Sequence, residues 1–164
     1  MIKTYRPGAI GALLDEYEKA IEDFVKAIET IPDSTLPVIT DPRTRDENCR
    51  SVQTILTHVV HSGYGYAVGI HNIKGYDMAR PVKMTRDTIK EYIDDLTKVF
   101  LFTENVFAEI KEDELEQFDD ALKIKTGWGQ LYDIEQMMEH AIVHVLRHRR
   151  QIEKFKILMG ELDE

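Results

Sequence analysis

The stretch DIEQMMEHAIVHVLRHRRQIEKFKILMG, residues 133–160, decides how the whole chain reads. Asp133 followed by Gln136 resembles a capping box, in which two side chains satisfy the first free N–H groups of a helix. Gly160 supplies the stop. Between these ends Ile134, Met138, Ala141, Val145 and Ile152 fall on one face at 100° per residue, the mark of an amphipathic helix that must bury that face. The same helix carries His140, His144 and His148 at four-residue spacing. Imidazoles at i and i+4 stand about 6 Å apart along the axis and can grip one ion, whereas all three span about 12 Å and cannot easily share it. On the wheel His148 lies within about 40° of the apolar centre, His144 about 80° away and His140 about 120° away. His144 and His148 are therefore the inward pair, and a further ligand has to come from another helix.

Working outward, three more segments carry helical period. Ile10, Leu13, Leu14, Tyr17, Ile21, Phe24, Val25 and Ile28 repeat at three- and four-residue steps, after Pro7 and Gly8 and before Pro32. Ile89, Tyr92, Ile93, Leu96, Val99, Phe100, Val106, Phe107 and Ile110 form another stripe, with Thr85 as its expected N-cap. The expected helices are about 9–31, 48–70, 86–110 and 133–159. Residues 32–47, with three prolines, read as a surface loop, and Gly75 and Pro81 mark a connection over 71–84. The stretch from Lys111 is acidic at first and turns at Gly127-Trp128-Gly129, and no alternating run is long enough for a sheet. The fold class is all-α, a four-helix bundle forming a single domain over 1–164, whose two long connections need not join adjacent antiparallel helices.

In the second helix Val52, Leu56, Val59, Val60, Gly63 and Ile70 mark the core side. His61 projects nearly opposite and is expected in solvent. His58 lies on the flank, in line with Ser62, Gly65 and Gly69, and such small residues leave room for an ion and a small molecule, or else allow close helix packing. Three neutral imidazoles, His58, His144 and His148, suit Zn²⁺ or Ni²⁺, with Fe and Cu as further candidates and His140 as an extra donor. Fewer than four protein ligands leaves a position for water or substrate, so the catalytic group is expected to be a metal-bound water or thiol. Ala141 after His140 excludes the zinc-protease motif, and no histidine has an acidic residue three positions before it, which excludes the di-iron carboxylate pattern.

Composition narrows the partners. The chain has 164 residues, 43% hydrophobic and 31% charged, with a formal charge of −9. That excess of acid argues against nucleic acid and against an anionic membrane surface. The longest charge-free stretch, residues 51–73, is too polar to cross a bilayer, and no apolar leader precedes the first charges. The single cysteine, Cys49, allows no internal disulfide. A cytoplasmic protein with a small-molecule substrate is expected. Arg147, Arg149 and Arg150 are weaker candidates for holding an anionic substrate or cofactor, since such clusters are more often a solvated face near a helix C-terminus. Cys49 as a nucleophile, Trp128 as a lid and Tyr64, Tyr66 and Tyr76 as cavity lining are weaker still.

The segment from Ser51 to His58, with His144-Val-Leu-Arg-His148-Arg-Arg-Gln-Ile152 far downstream, resembles the DinB/YfiT-like superfamily of metalloenzymes. Members carry one histidine in the second helix and a His-x-x-x-His pair followed by Arg-x-Gln-Ile in the fourth. The resemblance implies a four-helix bundle, usually a homodimer, with a divalent ion on His58, His144 and His148. It departs from the pattern at His140, which is extra, and at Arg149-Arg150, where many members have Arg-Gly. It further implies a transferase that uses a low-molecular-weight thiol such as mycothiol or bacillithiol on small electrophiles. Two alternatives use the same residues: a hydrolase of small amides or esters, and a non-catalytic dimeric bundle stabilised by its metal.

Overall fold

A computed structural model describes residues 4–160. Four helices make up the bundle: α1 (Gly8–Ile28), α2 (Val52–Asn72), α3 (Ile89–Phe107) and α4 (Ile134–Leu158). Their inner faces supply one core that includes Tyr17, Phe24, Leu56, Leu96, Met138 and Ile152. Burying each such side chain is worth about 1.5–3 kcal/mol, so the stripes read in the sequence are what hold the helices together.

Local chemistry sets the helix ends. Asp133 and Gln136 form the expected capping box of α4, and Gly160 beyond its end has φ +74. The third helix starts later than Thr85 suggested. Thr88 is the N-cap, its hydroxyl accepting from the Glu91 N–H while the Glu91 carboxylate accepts from the Thr88 N–H. Thr85 has no such acid three residues on and lies in extended chain. Likewise α2 opens at Val52 rather than at residue 48, because Ser51 and Thr54 form a capping box and Glu47–Cys49 is a separate 3₁₀ turn capped by Asp46.

Side-chain contacts fix the helix directions. Lys156 near the end of α4 donates to the Ala27 carbonyl and the Thr30 hydroxyl at the end of α1, so α1 and α4 run parallel. Thr57 bonds Tyr92 near the starts of α2 and α3, and Gly63 meets Val99 further on, so these two also run parallel. Arg6 before α1 reaches Glu104 near the end of α3, and Gly69 lies by Met137 while His58 meets His144, so the α1/α3 and α2/α4 pairs are antiparallel. The long connections therefore do not link antiparallel neighbours. Between parallel α2 and α3 the chain must return along the bundle. Residues 73–88 can span about 50 Å when extended, against about 32 Å for α2. Asn72 pins the start of this strap with two hydrogen bonds to Met78, and at its far end the Arg86 N–H donates to the Tyr92 hydroxyl.

One element was not expected: a two-stranded antiparallel hairpin, β1 (Ile124–Lys125) and β2 (Leu131–Tyr132). Two residues per strand are too few to show alternation. The turn expected at Gly127-Trp128-Gly129 is its loop, closed by Thr126 and Gln130, with Gly129 at φ +89. Among the described residues no helix is long and apolar enough to cross a membrane.

Candidate metal centre

His58 stands near the start of α2, and His144 and His148 stand one turn apart on the antiparallel helix α4. Their side chains meet across the α2/α4 interface. His58 Nε2 and His144 Nε2 are 2.9 Å apart, and one nitrogen from each of the three rings lies within 4.8 Å of the others. Two nitrogens bound to one zinc at about 2.0–2.1 Å would be separated by about 2.9 Å at a right angle and about 3.4 Å at the tetrahedral angle. The His58–His144 spacing is that of an imidazole–imidazole hydrogen bond and equally of two nitrogens sharing a cation.

The hydrogen bonding of His148 points to the cation. His148 is fully buried; its Nδ1 sits 3.0 Å from Gln151 Oε1, while its Nε2 is buried with no hydrogen-bond partner. With the proton on Nδ1 and donated to Gln151, Nε2 keeps a lone pair aimed into the cluster, and an unsatisfied buried acceptor costs about 1–3 kcal/mol unless something occupies it. Ser62 Oγ lies at 3.5 Å from His58 Nδ1, on the side away from the cluster. Burial, reinforced by charge on neighbouring imidazoles, pushes His58 down to about 4 and His144 down to about 2, and burial lowers His148 as well. All three are neutral near pH 7, the form that binds a metal.

His58 and His144 line one end of a cavity of about 540 Å³ between α2, α4, the strap and the hairpin, with the fully buried His148 beside them. Gly65 and Gly69 line it, as the row of small residues below His58 suggested. Tyr66 packs its ring against His140 and His144, and burial raises its phenol to about 12, so it stays protonated. Trp128 at the hairpin tip is half-exposed and stacks on His140 at 4.7 Å and 20°. His140 itself lies outside the three-nitrogen group, and its ring serves as the partner of Trp128, Tyr66 and Tyr132.

The other candidates disperse. Arg147 lines the cavity, Arg149 turns away to Asp23 and Glu153, and Arg150 is exposed. Cys49, the weak nucleophile candidate, is buried, and burial together with Asp46 pushes its thiol pKa up, which disfavours the reactive thiolate. Tyr76 is exposed and stacked on His71, and Tyr64 packs on Phe102. His61, expected in solvent, is half-buried because the strap passes over it at Pro81.

Three contributors had no signal in the sequence. Asp46, in the loop before α2, reaches the cavity; burial would raise its carboxyl, but hydrogen bonds from Asn48 and Cys49 prevail and hold it below the usual range. Arg80 arrives from the strap, and Ile124 from the hairpin. Their positions depend on where connections cross the bundle, which periodicity does not encode.

The profile of the DinB superfamily matches residues 16–152, most of the chain. The chain belongs to the DinB superfamily. No curated protein and no solved structure matches it. Family membership and the three converging histidines together identify this DinB protein as having a candidate metal-binding site between its second and fourth helices.

Proposed function

We propose that this DinB protein is a divalent-metal-dependent enzyme, most simply a transferase that joins a low-molecular-weight thiol to a small electrophile. The observation that carries this reading is the buried, unpartnered Nε2 of His148, aimed at two more imidazole nitrogens at the end of a cavity of small-molecule size. A cavity of roughly 300–1,000 Å³ is the usual size for such ligands. An all-imidazole donor set favours zinc or nickel, with iron a weaker fit. When bound, the ion supplies Lewis acidity that lowers the pKa of a thiol or water beside it.

The chain's own residues do the rest. His58, His144 and His148 are neutral imidazoles, each with one ring nitrogen able to carry a lone pair. Tyr66 offers a phenol that stays protonated and can donate a hydrogen bond, and Trp128 covers part of the mouth. Asp46 is a poor general base because hydrogen bonds hold its pKa below the usual carboxylate range, which weakens its affinity for a proton. A cation held by His58, His144 and His148 would lower the thiol pKa so that its proton passes to solvent, and the sulfur–electrophile bond would then form as the bond to the leaving group breaks. A hydrolase would use the same donors with water in place of the thiol. The homodimer implied by the family resemblance and the cytoplasmic setting expected from the sequence belong to this reading.

His144→Ala should lose bound metal, measured by elemental analysis against wild-type protein, and should lose thiol-dependent turnover with it. Full metal content and full turnover in that variant would refute the proposal. Turnover without added thiol would replace the transferase with the hydrolase.

A further inference from the structure

The chain carries an excess of carboxylates, yet its cavity does not. Arg80, Lys125 and Arg147 line it against the single carboxylate of Asp46, so a protein of charge −9 holds a chamber of net +2, its histidines being neutral. Arg80, Lys125 and Arg147 are solvent-exposed, whereas the half-buried arginines find acids: Arg6 reaches Asp15, Glu18 and Glu104, Arg86 reaches Asp95, and Arg149 reaches Asp23 and Glu153. Arg80 and Arg147 make no ion pair or hydrogen bond with any described residue. Arg43, Arg45 and Arg150 also have no ion pair with a described residue, but they do not line the cavity.

The placement of Arg80 depends on a glycine. Its side chain lies across the backbone of α2 at Gly65, where a methyl group would come within 2.8 Å of a guanidinium nitrogen and 3.0 Å of Arg80 Cδ. Arg147 comes from the opposite wall, one turn after Val143 on α4. Both cations line the same cavity as Tyr66. Beside them the chamber turns apolar: at Gly69 a methyl group would meet only Ile124 at 3.4 Å and Met137 at 4.0 Å, and Trp128 closes the rim.

We infer that this cavity binds a small organic anion, its carboxylate gripped between Arg80 and Arg147 and its carbon body resting against Trp128, Ile124 and Met137 over Gly69. Guanidinium forks match the planar carboxylate, and the apolar patch rewards a ring or short chain rather than a bare ion. The inference rests on the reading of the cavity as the substrate chamber of a metal site, and it names the class of molecule that enters. The carboxylate can sit on the electrophile or on the thiol.

Trp128 is the chain's one tryptophan, so its fluorescence reports occupancy without any turnover. Phenylacetate and its uncharged analogue phenylacetamide test the electrophile, and 3-mercaptopropionate and 2-mercaptoethanol test the thiol, each titrated into metal-loaded and metal-free protein. The charged member of at least one pair should bind about tenfold or more tighter than the neutral one, and Arg80→Gln and Arg147→Gln should each remove that advantage while circular dichroism and Tm stay unchanged. Gly65→Ala should reproduce Arg80→Gln by pushing the guanidinium aside. A preference confined to one pair assigns the carboxylate to that reactant. Equal binding of charged and neutral members, or a preference that needs the metal and ignores both arginines, overturns the inference. Arginine-dependent binding in a protein with no thiol-dependent turnover would sink the transferase and leave the anion site standing.

Discussion

Gln151 is a residue whose importance comes from geometry alone. Its Oε1 faces His148 Nδ1 at 3.0 Å, and its amide also reaches the Cys49 thiol, which in turn donates to Asp46 at 3.5 Å. This small network holds His148 in the tautomer that keeps Nε2 free for an ion, as outer hydrogen bonds to ligating histidines generally do. Gln151→Leu should weaken zinc affinity by about 10- to 100-fold in competition titrations, with helix content unchanged. Unaltered affinity would show that ring packing alone orients His148. In the sequence Gln151 is visible only as part of a family-like pattern. Nothing in its spacing says that its oxygen, rather than its nitrogen, turns toward the histidine. His144 and His148, by contrast, were legible as inward-facing because burial follows the 3.6-residue period.

The helices themselves were easy to read, and their ends less so. Stripes of apolar residues locate a helix centre, but a boundary depends on which of several nearby hydroxyls finds its acid. Thr85 and Thr88 both precede the third stripe; Thr88 has Glu91 three residues on and takes the cap. Thr88→Ala should therefore lower stability by about 1 kcal/mol in denaturant titrations, and Thr85→Ala should change it little. The reverse ranking would place the start of α3 where the sequence alone suggested. The hairpin escaped notice for a different reason. Its strands are held by a turn, through Thr126, Gln130 and the left-handed Gly129, and only that turn left a mark in the sequence.

For the molecule as a whole, burial of the histidine cluster ties stability to pH. His58 titrates near 4 and His144 near 2 in the folded chain, against 6.5 for a free imidazole. Above pH 6.5 both folded and unfolded states hold these rings neutral, and no difference arises. Below it the unfolded chain takes up protons that the folded chain refuses, so the metal-free protein loses stability as pH falls from about 6.5 toward 4. Thermal melts of the metal-free protein across that range should show Tm declining, with a shallower decline in a His58→Leu variant. A flat profile would mean that the rings are solvated. The order of helices around the core was not legible in this way, since periodicity says which face is buried but not which neighbour buries it. That order shapes the cavity wall. Because α2 and α3 point the same way, the strap between them forms one side of the chamber, and from Tyr76 to Asp87 it donates no backbone–backbone hydrogen bond. The side of the chamber that presents Arg80 is thus held by side-chain bonds rather than by a backbone ladder. Local opening there needs no helix to melt, so access to the cavity from this side is decoupled from the unfolding of the bundle.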